Sequence, residues 1–143
     1  MREILFRGKR LQGGEWVEGY FFKSDINKKE RESGKATLIF TPECDTFITV
    51  PECHNSFMVV SDTVGQYTGL LDKNGKRIFE GDIAKVLQGK DKDIAYVGFE
   101  NGAFMLYPKT GNIYERTLWS YWYNDWDVEV IGNITDNPEL LEK

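Results

Sequence analysis

Apolar and polar residues alternate in short segments along most of this chain, and glycine, proline and Asn-Gly pairs separate the segments. A period of two is typical of half-buried β-strands, and the 3.6-residue period of an amphipathic helix is almost absent. The pattern therefore predicts strands or short apolar groups at residues 2–7, 15–22, 36–40, 47–50, 57–60, 83–87, 94–99, 103–107 and 112–119.

Glycines mark the turns between these segments. Asn74-Gly75 and Asn101-Gly102 both suit the two-residue type I′ hairpin turn, in which each central residue has a positive φ. Gly19 lies inside a predicted strand, which indicates a β-bulge or a close approach of another backbone. Residues 63–83 contain four glycines, and we predict that they form the hairpin on which the fold is built.

These elements predict a mostly-β chain with hairpins and little helix, in the form of a small antiparallel β-barrel. A slight α+β character comes from one helical turn, with Asn137 as its cap and Pro138 at its first position. The polar segment Lys23–Lys35 is predicted to be an exposed loop. A boundary near residue 61 separates two β-rich parts, 1–61 and 62–143, which are expected to share one core.

Composition and charge narrow the class of protein. Aromatic residues make up 14% of the chain, which favours strands. No apolar run reaches the roughly 20 residues of a membrane helix, and the charged start lacks a signal-peptide pattern, so we expect a cytoplasmic protein. Residues 61–143 hold nine basic and fourteen acidic residues and carry the whole net charge of −5. Such a charge does not attract nucleic acid through its overall field.

Candidate metal and nucleotide sites lack some of the residues they require. Cys44, Cys53 and His54 are the only soft ligands, whereas a structural zinc site takes four, so we expect two small buried thiols and a loop histidine. Gly69–Lys76 is similar to a phosphate-binding loop but has one residue too many, and Arg77 stands where Ser or Thr would bind magnesium. We therefore predict neither a metal nor a cofactor.

Two groups of carboxylates could hold a metal or act as acid and base. Glu80 lies close to Asp82, and Asp127 and Glu129 would share one face of a strand. The alternative is that these residues form turns and solvated strand faces, with the Asp82 carboxylate accepting hydrogen bonds from backbone N–H groups. No lysine is near enough in sequence to complete a nuclease-like set, so we favour the structural role.

Residues 119–126 have the most unusual composition, with three Trp and two Tyr in eight positions. One interpretation is a stacking or partner-binding surface, because Trp and Tyr concentrate binding energy. The other is that the rings close one end of the barrel and keep their polar tips at the surface. Both interpretations are open, and the candidate binding residues are Trp119, Tyr121, Trp122, Tyr123 and Trp126.

Several motifs at the two ends and in the centre of the chain carry a family resemblance. They are Met1–Arg7, Val64–Leu70, Asp72–Lys76, Ile78–Ile83, Val128–Ile134 and Asn137–Leu141. These motifs resemble the YopX family, whose members are small proteins of bacteriophages and prophages, mainly in Gram-positive bacteria. The resemblance implies a β-rich fold, a phage origin and the cytoplasm of a bacterial host. It implies no established activity and no catalytic residues.

Three hypotheses about function remain from these observations. The leading one is a non-enzymatic phage accessory protein, a β-rich interaction module for a protein partner or a second copy of itself. The alternative is a protein that binds single-stranded nucleic acid by stacking bases on the aromatic residues of 119–126. The third is a hydrolase that uses a metal held by carboxylates from Glu80, Asp82, Asp127 and Glu129.

Overall fold

A computed structural model of the protein describes residues 3–23, 46–114 and 116–142. The chain divides into two compact units, Ile4–Gln66 and Met1–Glu3 with Tyr67–Lys143. The expected division into 1–61 and 62–143 with a shared core stays a prediction.

Two of the predicted elements lie outside the described residues. They are the strand at 36–40 and, apart from Lys23, the loop at Lys23–Lys35.

The unit Ile4–Gln66 contains four antiparallel strands in the order β4-β3-β2-β1. Their bounds are β1 (Phe6–Lys9), β2 (Trp16–Lys23), β3 (Thr46–Val50) and β4 (Asn55–Met58), and a 3-10 turn follows at Ser61–Thr63. The start of β5 (Gly65–Leu71) pairs with β1, where Gly65 lies opposite Arg7. The buried apolar residues described in this unit are Leu5, Phe47, Ile48 and Val59.

Gly19 in β2 meets the backbone of β3 closely, as the sequence predicted in one of its two alternatives. A Cβ atom placed on Gly19 would lie 2.0 Å from the carbonyl oxygen of Thr49. Gly19 pairs with Phe6 in a regular register, so this position is not a bulge. The absence of a side chain here lets β2 and β3 lie at their observed separation.

The second unit is built on a five-stranded antiparallel sheet with the order β10-β9-β8-β7-β11. The bounds are β6 (Arg77–Phe79), β7 (Asp82–Gln88), β8 (Asp91–Glu100), β9 (Ala103–Pro108), β10 (Arg116–Thr117) and β11 (Asp127–Asn133). β6 pairs with the later part of β5. The core of this unit consists of Ile78, Ala84, Val86, Ala95, Val97, Leu106, Ile113, Leu118, Tyr121 and Val128.

The mostly-β prediction is confirmed, and the predicted barrel is wrong, since neither sheet closes among the described strands. The physical reason lies at the two edges of the five-stranded sheet. β10 has only two residues before the chain turns into a helix. At β11, the N–H of Lys73 donates to the carbonyl oxygen of Val128 (2.9 Å), and this loop contact occupies an edge that a closing strand would need.

The turn at Asn101-Gly102 is of type I′, as predicted. Asn101 has a φ of 50° and Gly102 a φ of 80°. Glu100 and Ala103 pair directly on either side, so the connection has two residues. This turn depends on the local backbone preference of Asn and Gly, which can be read directly from the sequence.

The same prediction is wrong for Asn74-Gly75. Gly75 has a φ of 81°, but Asn74 is not in the positive-φ region. The connection runs from Asp72 to Lys76, and the Asp72 Oδ1 atom accepts hydrogen bonds from the N–H groups of Asn74 (2.8 Å) and Lys76 (2.9 Å). Its Oδ2 atom accepts a third from Val130 in β11 (3.0 Å). One carboxylate therefore shapes the turn and joins it to the sheet.

The segment predicted as a strand at 112–119 contains only the short β10 and then α1 (Leu118–Tyr123). The Thr117 hydroxyl oxygen accepts a hydrogen bond from the Ser120 N–H (3.3 Å), which begins the helix. Leu118 and Tyr121 lie one turn apart and are both buried. Burial of this helix face outweighs the strand preference of the aromatic residues.

The predicted C-terminal helical turn is present as a 3-10 turn at Pro138–Leu140. Asn137 precedes it, but its side chain does not cap the turn. Instead, the Asn137 Oδ1 atom accepts a hydrogen bond from the Asn133 N–H (3.3 Å). Among the described helices, all are too short to cross a membrane.

Candidate functional site

The helix α1 places the candidate binding residues in different environments. Tyr121 is buried, and its hydroxyl donates a hydrogen bond to the main-chain oxygen of Tyr114. Trp126 is half-buried and meets the Tyr121 ring edge-on, with 5.0 Å between centroids and 86° between planes. Trp119 is 56% exposed. The candidate set is therefore divided between a packed pair and a surface residue.

Trp122 and Tyr123 complete the candidate set. Their main chain lies in α1, and their side chains are outside the described part of the structure.

The Tyr121 hydroxyl acts as a fixed anchor. Burial raises the pKa of Tyr121 above its ordinary value of 10.0, while the nearby Arg116 lowers it and Asp93 raises it. The hydroxyl therefore keeps its proton at neutral pH and remains a donor to Tyr114. This bond holds the segment that carries Tyr114 against α1, which carries Trp119.

Two aromatic side chains of this region, Tyr114 and Trp119, are exposed. Tyr114 is 77% exposed, and the Arg116 guanidinium lies 5.7 Å from the centroid of its ring. Tyr114, Arg116 and Trp119 are hereafter called the aromatic surface. The sequence pattern did not indicate Tyr114 and Arg116, because both lie outside the dense aromatic run, and the hydroxyl bond from Tyr121 to Tyr114 is a tertiary contact.

A second feature is an open groove of about 660 Å³ beside the outer face of the five-stranded sheet. Lys85 in β7 pairs with Ile94 in β8, and the Lys109 N–H donates to the carbonyl oxygen of Ile94 (2.8 Å). Lys92 and the C-terminal Leu141 also line the groove. We call this feature the lysine groove.

The acidic candidates are not brought together. Asp82 lies opposite Asn133 at one end of the β7–β11 ladder, and Asp127 lies opposite Leu87 at the other. The buried Asp82 accepts a hydrogen bond from the Phe79 N–H (2.8 Å), which confirms its predicted role in a turn. Burial raises the pKa of the Glu80 carboxyl.

Glu129 shares a face of β11 with Asp127 and forms an ion pair with Lys73 (3.2 Å), a lysine distant in sequence. Among the described residues, no three His, Cys, Asp or Glu side chains are grouped as a metal ion would need. Cys53 is exposed because it lies in the turn between β3 and β4. Its predicted burial is therefore wrong. His54 lies in this turn, as predicted, and has a φ of 55°. Cys44 is outside the described residues.

Comparison with known families decides where the chain belongs. The sequence matches the family described as YopX protein over residues 5–142. The chain belongs to the YopX family. The resemblance seen in the sequence motifs is thus confirmed over nearly the whole length.

A solved structure shares the fold of this chain. The crystal structure of protein EF1440 from Enterococcus faecalis is similar with a TM-score of 0.52 and 22% sequence identity. The match covers 99% of this chain and 100% of that chain. At this identity the likeness concerns the fold. No curated protein sequence matches this YopX chain.

Asp93 fixes the border of the lysine groove in this YopX protein. Its carboxylate accepts hydrogen bonds from the Thr110 hydroxyl (2.7 Å) and from the N–H groups of Thr110 (3.1 Å) and Asn112 (3.0 Å). The N–H of Ile94 donates a further bond (2.8 Å). Burial alone would raise the pKa of Asp93, but these bonds outweigh it and hold the pKa below the ordinary 3.8.

This lowered pKa predicts a pH-dependent contribution to stability. A carboxyl with a lower pKa in the folded than in the unfolded state stabilises the protein above about pH 4, and this contribution is lost as the pH falls through the folded value. We expect Asp93→Asn to lower the melting temperature at pH 7 by several degrees, and the difference from wild type to shrink at about pH 2.5. Thermal denaturation followed by circular dichroism measures both. The exposed Asp91→Asn is the control, and a difference that does not depend on pH would contradict the prediction.

Proposed function

We propose that this YopX protein is a non-enzymatic phage or prophage accessory protein that binds a protein partner through the aromatic surface. The observation that carries the proposal is the exposure of Trp119 and Tyr114, with Arg116 placed beside the Tyr114 ring. Trp, Tyr and Arg are the residue types that dominate the energy of protein interfaces. The buried Tyr121 holds the main chain of Tyr114 by a hydrogen bond, which lowers the entropy lost on binding. The phage or prophage origin is what the resemblance to the YopX family implies.

Charge favours a particular kind of partner. Residues 61–143, which include the aromatic surface, carry the whole net charge of −5. A partner with an apolar pocket and basic residues around it would be attracted by this charge, whereas nucleic-acid phosphates and a second copy of the chain would be repelled. A basic protein therefore fits better than single-stranded nucleic acid or self-association.

The positions of the candidate carboxylates support a non-enzymatic role. Asp82 serves a turn and Glu129 is paired with Lys73. Asp82 and Asp127 lie at opposite ends of the β7–β11 pairing. This arrangement supports structural roles for them and favours a binding function.

Site-directed photo-crosslinking in phage-infected host cells tests the proposal. The probe p-benzoylphenylalanine replaces Trp119 in one variant and the exposed Lys90 in a matched control variant. We expect a discrete protein adduct from position 119 and none from position 90. Excess wild-type protein should compete for the adduct, and Trp119→Ala/Tyr114→Ala protein should compete at least roughly tenfold less well, because hot-spot residues contribute about 2 kcal/mol or more each.

The other outcomes of this experiment are distinct. An adduct that nuclease removes would support the single-stranded nucleic-acid alternative and overturn the proposal. An adduct with twice the mass of the chain, together with a dimer in light scattering, would replace the basic partner by a second copy. Equal labelling from positions 119 and 90 would show that the aromatic surface binds nothing specific. Unfolding of the double variant in urea provides the control for folding, and we expect it to match wild type.

A further inference from the structure

The lysine groove carries an excess of positive charge inside the acidic part of the chain. Lys85 and Lys92 line it, and neither forms an ion pair with another described residue. Glu129 lies opposite Lys85 in the β7–β11 pairing, but its carboxylate is bound by Lys73 (3.2 Å). Asp93, the acidic residue at the border, is occupied by the hydrogen bonds described above. Lys85 and Lys92 thus line the groove, and among the described residues neither has a carboxylate within ion-pair distance.

The C-terminal segment forms one wall of the groove, and Lys109 holds it in place. The Lys109 Nζ atom donates to the main-chain oxygens of Leu140 (3.1 Å) and Glu142. Leu141, between these two residues, lines the groove together with Ile94. Lys109 therefore has a structural task, while Leu141 and Ile94 give the groove apolar surface.

We propose that the lysine groove binds a small organic anion that has an apolar body, such as a hydrophobic carboxylate or the phosphate monoester of a hydrophobic alcohol. The ammonium groups of Lys85 and Lys92 bind the anionic group by charge-assisted hydrogen bonds. Ile94, Leu141 and the lysine stems contact the apolar body. A volume of about 660 Å³ is within the range of small-molecule sites. This site does not depend on the aromatic surface or on its protein partner.

Fluorescence titration with 8-anilinonaphthalene-1-sulfonate tests the proposal, because this probe joins a sulfonate to an apolar aromatic body. N-phenyl-1-naphthylamine has the same aromatic body without the charge and is the matched ligand. We expect the anionic probe to bind the full chain at one site and more tightly than the neutral one. Lys85→Gln/Lys92→Gln should weaken the anionic probe by roughly tenfold or more and leave the neutral probe unchanged.

Two control variants complete the experiment. Lys76→Gln/Lys90→Gln removes two lysines outside the groove, and we expect it to bind like wild type. Trp119→Ala/Tyr114→Ala shows whether the probe has instead bound the aromatic surface. Amide shifts of Ile94 and Thr110 in a heteronuclear NMR titration should locate the anionic probe in the groove. Equal binding by Lys85→Gln/Lys92→Gln, or equal affinity for both probes, would overturn the proposal.

Discussion

Replacing Asp72 with alanine is expected to lower the free energy of unfolding by about 3 kcal/mol, because three backbone donors lose one acceptor. Two of these N–H groups, from Asn74 and Lys76, lie in the β5–β6 connection, and the third comes from Val130 in β11. Solvent can satisfy the turn donors in part. The Val130 donor lies at the sheet edge that the connection covers, so the loss there is the more costly one.

Urea unfolding followed by circular dichroism measures this effect. Lys73→Ala is the matched control from the same turn, since it removes an exposed ion pair with Glu129 and should cost below about 1 kcal/mol. Asp72→Asn keeps one acceptor oxygen and should fall between the two. If Asp72→Ala and Lys73→Ala lost the same free energy, the carboxylate would not be the centre of this connection.

The substitution Gly19→Ala is expected to be at least as damaging, with a loss of about 3 kcal/mol or more. The added Cβ would lie 2.0 Å from the carbonyl oxygen of Thr49, so the backbones of β2 and β3 must separate. The φ of Gly19 is not in the left-handed region, so an alanine could adopt its conformation and the whole effect is steric. The adjacent pairing of Tyr20 with Thr49 would be disturbed first.

Gly89→Ala separates steric from conformational cost. Gly89 has a φ of 57° and nothing within 4 Å of its would-be Cβ, so its substitution strains the backbone without a clash. We expect a loss of about 1 kcal/mol there, a third or less of the loss at Gly19. Urea unfolding of both variants gives the comparison. Equal losses of unfolding free energy would mean that β2 and β3 can separate to accommodate the added Cβ without a steric penalty.

The sequence predicted those elements that depend on local preference. The type I′ turn at Asn101-Gly102 follows from the φ values that these two residues tolerate. The turn at Asn74-Gly75 differs because the Asp72 carboxylate, held also by Val130, imposes its own geometry. A hydrogen bond between residues this far apart in sequence gives no local signal.

The helix α1 was missed for a related reason. Its aromatic residues favour strands by propensity, yet Leu118 and Tyr121 are spaced for one helix face and Thr117 stands at the start. That spacing and that cap were a usable signal. The placement of Tyr114 beside α1 was not available from the sequence, since it depends on the hydroxyl bond of Tyr121.

The lysine groove could not have been found from the sequence either. Strand alternation predicts that Lys85 and Ile94 point to one face, but their alignment depends on the register of β7 and β8. Leu141 reaches the groove only because Lys109 holds the C-terminal segment. Register and side-chain anchoring are tertiary properties.

The covered edge of β11 limits how a partner strand can attach to the five-stranded sheet. The N–H of Lys73 and the carboxylate of Asp72 already occupy the outward carbonyl of Val128 and the outward N–H of Val130. At the opposite edge, β10 offers only Arg116 and Thr117 before α1 begins. An extended peptide therefore cannot join the β11 edge at Val128 and Val130 as an added strand, so β-augmentation and edge-to-edge aggregation are disfavoured there.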